Sequence, residues 1–146
     1  MLRVACASAN PHKVAEIVDL MGGVVDLVPR PSDLADVIED ADTLEGNARL
    51  KALAVCIAAA LPALADDSGL CVDALGGAPG IFSARYAGTH GDDIANLNKV
   101  LVELKSVEDS KRSAHFTCVT ALVMPDGRKV TKAGEFHGFI AHAPVG

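Results

Sequence analysis

The opening segment, residues 2–31, constrains the fold more tightly than any other part of the chain. Residues 2–7 form a short apolar run, the pattern of a buried strand. Asn10-Pro11 follows as a helix start: Asn supplies an N-cap, and Pro at the first helical position loses no needed N–H. Val14, Ile17, Val18 and Met21 then mark a helical stripe that Gly22-Gly23 ends. Residues 24–28 are strand-like again, closed by Pro29 and Pro31. A chain that begins strand, loop, helix, strand belongs to the α/β class.

The rest of the sequence extends that class. Thr43 is placed to cap a long Ala- and Leu-rich helix reaching about Ala60, which Pro62 closes. Residues 63–65 and 70–72 read as two short strands on either side of a turn, Asp66-Asp67-Ser68-Gly69. A Gly/Pro loop over residues 76–80 follows, and then Asp92 or Asp93 caps a helix with Ile94, Leu97, Val100, Leu101 and Leu104 on one face. Residues 106–113 make a polar linker. Residues 115–124 and 128–136 are strands joined at Pro125-Asp126-Gly127, and a third short strand is expected at 138–142. Consecutive hairpin strands after a parallel beginning predict a mixed sheet, within one domain over residues 1–146.

Charge and composition narrow the partners. Thirteen Lys and Arg against nineteen Asp and Glu give a net charge of −6, which disfavours nucleic acid and anionic membranes over a broad face but permits one small basic pocket. Four Phe, one Tyr and no Trp leave little to stack single-stranded bases. Cys6, Cys56, Cys71 and Cys118 are far apart, each in an apolar run, and read as small core residues rather than as a zinc site, a redox pair or disulfides. The five histidines, His12, His90, His115, His137 and His142, have no metal-ligand spacing. With no leader pattern and no apolar stretch long enough to span a bilayer, the expected location is the cytoplasm.

Two segments could carry chemistry. Ser8-Ala9-Asn10-Pro11-His12-Lys13 lies at a strand end and a helix N-terminus, where free N–H groups and the helix dipole favour an anion and Lys13 adds a full charge. Taken alone, it reads first as an ordinary capped helix with an exposed lysine, and second as an anion site. It has neither the glycines of a Walker loop nor a dinucleotide fingerprint. In the second segment, Asp66 and Asp67 are adjacent carboxylates between apolar flanks. They suit Mg²⁺, which binds through one or two carboxylates, water and phosphate oxygens, and one of them could take a proton from an attacking water. The plainer alternative is an acidic turn shaped by Gly69. Glu39, in the acidic stretch of residues 33–45, matters only if that stretch folds over Asp66 and Asp67; Arg85 suits a phosphate or a surface pairing.

Together these segments resemble the inosine triphosphate pyrophosphatase family (XTP/dITP diphosphatases). Ser8-Ala9-Asn10-Pro11-His12-Lys13 is similar to its Ser/Thr-x-Asn-x-x-Lys motif, and Asn47-Ala48-Arg49-Leu50-Lys51-Ala52 to its long-helix motif. Asp66-Asp67-Ser68-Gly69-Leu70, Leu75-Gly76-Gly77-Ala78-Pro79-Gly80 and Ser83-Ala84-Arg85-Tyr86 resemble its central signature. The resemblance implies an elongated mixed β-sheet flanked by helices in two lobes, a homodimer, and Mg²⁺-dependent hydrolysis of XTP, ITP and dITP to monophosphate and pyrophosphate. It implies that Ser8, Ala9, Asn10, Pro11, His12, Lys13 and Ser68 bind substrate, that Asp67 is the general base, and that Asp67, Asp66 and Glu39 hold the metal.

The sequence departs from the family pattern in three places. Gly46 stands where the family has an acidic residue, with Glu45 displaced by one, and Ala41 stands where the family often has Gly. Residues 134–138 resemble the segment just before the family's Phe-Gly-Tyr-Asp motif, which does not follow, nor does the later Ser-His-Arg motif. The expectation is therefore a domain incomplete at its C-terminus, with a triphosphate-binding or partner-binding homologue without turnover as the alternative to an enzyme, and a dimer or partner contact over residues 136–144.

Overall fold

A computed structural model describes residues 1–145. Five strands, β1 (Arg3–Cys6), β2 (Asp26–Pro29), β3 (Ala63–Val72), β4 (Ser113–Val123) and β5 (Lys129–Phe139), form one sheet in the order β2-β1-β3-β4-β5. Helices α1 (Pro11–Met21), α2 (Leu44–Ala59) and α3 (Asp93–Glu103) flank it. β1 runs parallel to both β2 and β3, whereas β4 and β5 are a hairpin closed by Met124 N–H donating to the Arg128 carbonyl. The sheet is mixed, as expected.

The helices start where their caps dictate. Asn10 accepts from His12 N–H, Thr43 from Gly46 N–H and Asp92 from Ala95 N–H, each satisfying a first-turn donor the helix leaves open. α2 ends as Ala60 turns left-handed at φ 54°, with Pro62 beyond it.

Three expectations need correction. Asp66-Asp67-Ser68-Gly69 is not a turn between two strands but the middle of one continuous β3. These residue types have low strand propensity, and pairing on the sheet overrides it. Among the described residues no third strand follows the hairpin; β5 continues through Gly138 to Phe139 instead. Cys118 is exposed on β4 rather than packed in a core, because strand alternation turns it outward; Cys6 and Cys56 are buried, and all four thiols are free.

The chain folds as two compact units, residues 1–67 with 119–132, and residues 68–118 with 133–146; Gly146 lies outside the described residues. The first unit has a core of small side chains: Ala5, Ala7, Ala48, Ala52, Val55, Cys56, Ala63, Ala65, Ala121 and Val123. So many alanines let α2 lie close over β1 and β3, which suits an apolar chain nearly free of aromatics. The second unit packs Val72, Val100, Leu104 and Ala114, with Tyr86 and Ile140 against them. There Arg112, 2% exposed, donates to the carbonyls of Leu104, Ile140 and Ala141 at 2.6, 2.9 and 3.0 Å. Tyr86 donates to the Glu103 carboxylate, which pushes the phenol up to about 12.

Candidate active site

The site of the first unit begins with the parallel pairing of β1 and β3. Cys6 lies across from Leu64, and Ala7 N–H donates to the Leu64 carbonyl at 2.8 Å. That register carries the loop after β1, residues 8–10, alongside Asp66 and Asp67. Ser8 Oγ accepts from Asn10 N–H at 3.1 Å and Asn10 Oδ1 accepts from His12 N–H at 3.0 Å, fixing the loop as a helix cap. α1 has no acidic residue in its first turn, so nothing there offsets the positive end of its dipole. Lys13 Nζ donates to Asp66 Oδ2 at 2.9 Å.

The continuity of β3 explains how two adjacent carboxylates coexist. Successive side chains on a strand point to opposite faces. Asp66 turns to Lys13, and Asp67 turns to α2, where Lys51 Nζ stands 3.6 Å from Asp67 Oδ1 and 3.1 Å from Glu39 Oε1. The acidic stretch does fold over the strand, and Glu39 and Asp67 share one ammonium. Asn47, four residues before Lys51 on the same helix face, hydrogen-bonds Asp67 while its Oδ1 accepts from Ala41 N–H at 3.0 Å. Burial pushes the Asp67 carboxyl above the ordinary range and Glu39 adds to the rise; Lys51, Asn47 and Lys13 oppose it. The side chain of Asp67 is 14% exposed, enough for a small reactant to reach.

Lys51 and Asn47 are the residues whose roles the sequence left open. Their i, i+4 spacing on an Ala-rich helix was the available signal, because it sets both on one face. The departures at 41 and 46 are linked in the structure: a Cβ at position 46 would stand 2.7 Å from the Ala41 methyl. The methyl at 41 thus takes the space that a side chain at 46 would need. Glu45, the displaced carboxylate, accepts from Arg49 at 2.7 Å and from Thr131 at 2.9 Å and does not join the Lys51 cluster. Ser68, next on β3, is exposed and is the first residue of the second unit, where Arg85 lies 5.2 Å from the centre of the Phe82 ring.

Comparison with known proteins agrees with these motifs. The Ham1 family model matches residues 4–146. A dITP/XTP pyrophosphatase of Streptomyces avermitilis is 46% identical over 151 residues, covering 100% of this chain and 76% of the relative. One from Yersinia pestis is 44% identical over 150 residues with the same coverage. Among solved structures, a HAM1 protein from Coxiella burnetii superposes with a TM-score of 0.90 at 39% identity, over 100% of this chain and 76% of that one. The nucleoside-triphosphatase / dITP/XTP pyrophosphatase of Mycobacterium abscessus gives 0.82 at 40% identity, over 99% and 77%. By sequence match, strand order and site motifs alike, the chain belongs to the Ham1 family.

Proposed function

We propose that the chain is a nucleoside triphosphate pyrophosphatase that hydrolyses the deaminated purine triphosphates XTP, ITP and dITP to monophosphate and pyrophosphate, cleansing the nucleotide pool. The observation that carries this reading is the pairing, within one compact unit, of a capped helix start bearing Lys13 with two carboxylates that share a single ammonium. The relatives named dITP/XTP pyrophosphatase support the substrate class.

In this reading the loop from Ser8 to Lys13 receives the phosphates, and Lys13 exchanges part of its contact with Asp66 for a phosphate oxygen. Asp67 takes a proton from the water that attacks phosphorus. Its upward-shifted carboxyl is a stronger base than an ordinary aspartate. Asn47 and Lys51 hold it in place.

The donor set fits Mg²⁺. Glu39 and Asp67 carry two negative charges against the one positive charge of Lys51. Among the described residues no three His, Cys, Asp or Glu side chains converge as a cage, which suits an ion that keeps its waters and binds phosphate. Asp67 and Glu39 would hold it, whereas Asp66 turns to Lys13 on the other face of β3 and does not join them; when bound, it would neutralise phosphate charge and polarise the phosphoryl oxygen.

A homodimer working in the cytoplasm completes the proposal. Phe136 and Phe139 on β5 are 76% and 71% exposed and offer a contact, and no helix among the described residues is long and apolar enough to cross a membrane. Incubation with ITP, dITP, XTP or ATP and Mg²⁺ tests the activity. Pyrophosphate released from the deaminated purines in preference to ATP is expected. Calorimetric binding of ITP without any pyrophosphate would leave the non-catalytic binding protein in its place.

A further inference from the structure

We propose that the open end of the β4–β5 hairpin, which lies in the second unit, binds a borderline transition-metal ion, Zn²⁺ or a similar divalent cation, between His115 and His137. The linear spacing of the histidines gives no such signal; strand pairing creates it. Ile140 N–H donates to the Arg112 carbonyl at 2.9 Å, and three residues inward along each strand His115 and His137 stand opposite one another. Their ring centres are 5.1 Å apart and the planes are inclined by 34°. Two imidazoles on one tetrahedral zinc, each with a Zn–N bond of about 2.0–2.1 Å, place their ring centres roughly 5 Å apart.

Glu135 supplies the second feature of such a site. It lies two residues before His137, on the same face of β5, with Oε2 3.0 Å from His137 Nε2. A carboxylate on one imidazole nitrogen fixes the tautomer and orients the ring, leaving the other nitrogen for a metal. With no third protein ligand converging among the described residues, solvent fills the remaining positions. Binding is therefore weaker than in a structural zinc site, and micromolar affinity is expected. Imidazole nitrogen selects zinc, copper or nickel over magnesium, so this site is chemically separate from the carboxylates around Lys51 and does not depend on the pyrophosphatase reading.

Metal-stripped chain titrated calorimetrically with Zn²⁺, and with Co²⁺ followed by visible absorption, tests the proposal. One ion per chain is expected. His115→Ala and His137→Ala should each weaken binding at least tenfold and Glu135→Gln a few-fold, while a large excess of Mg²⁺ or the Asp67→Asn change leaves it unaltered. Wild-type zinc affinity in both histidine variants, or no binding below millimolar zinc, would overturn the site. Imidazole NMR of the wild-type chain supplies a readout that needs no variant. Zinc should perturb the His115 and His137 rings, and perturbation confined to the other histidines would also overturn it.

Discussion

Each compact unit takes a charge at least partly out of water, and the two are treated differently. Arg112 in the second unit is 2% exposed, and three peptide carbonyls receive its guanidinium. Fixed dipoles compensate that charge, and they tie the end of α3 to the residues after β5. Asp67 in the first unit is only partly buried, shares one lysine with Glu39, and its carboxyl is pushed upward. A fully satisfied buried charge makes structure. One left short of compensation keeps free energy in reserve for a ligand and a proton.

The largest expected effect separates the two directly. Asp67→Asn should lower pyrophosphate release by roughly 10²–10⁴-fold without lowering stability. The native chain holds the Asp67 proton more tightly than the unfolded chain does. Ionising it therefore costs stability as pH rises from the ordinary carboxylate range through the raised native value, and the amide removes that cost at neutral pH. A variant that loses activity because it unfolds in urea at lower concentration than wild type would erase the distinction. Arg112→Met should behave in the opposite way, costing about 3 kcal/mol in urea unfolding by removing the donor that the Leu104, Ile140 and Ala141 carbonyls share, with activity per folded molecule changed far less than by Asp67→Asn.

Smaller effects sharpen the picture of the first unit. Gly46→Ala should cost roughly 1–3 kcal/mol through the crowding at Ala41, and Ala41→Gly in the same chain should recover most of it. Additive losses in that double-mutant cycle would show that the two positions are not linked. Asn10→Ala should cost about 1 kcal/mol of stability by removing the cap of α1 and should raise KM for ITP more than it lowers kcat. An unchanged KM would take the cap out of phosphate binding.

Much of this comparison is legible in the amino-acid sequence. Asn10, Thr43 and Asp92 mark their helix starts because capping is local, and the motif residues around β1 and β3 stand out for the same reason. What the sequence hid was non-local. Asp66 and Asp67 have the look of a turn, and only pairing on the sheet makes them strand residues that face Lys13 and Lys51 separately. The sharing of Lys51 by Glu39 and Asp67, the contact between positions 41 and 46, and the meeting of His115 with His137 all depend on how the chain folds back on itself. No periodicity encodes such meetings.

A carboxyl-carbon NMR titration of Asp67 in the metal-free chain tests most directly whether this group is the under-compensated one. Its midpoint should lie above that of an ordinary aspartate and rise further in Lys51→Met, because Lys51 lowers it while burial and Glu39 raise it. A midpoint at or below the ordinary value, or one that Lys51→Met leaves in place, would contradict the contrast with Arg112 and the role of Asp67 as base.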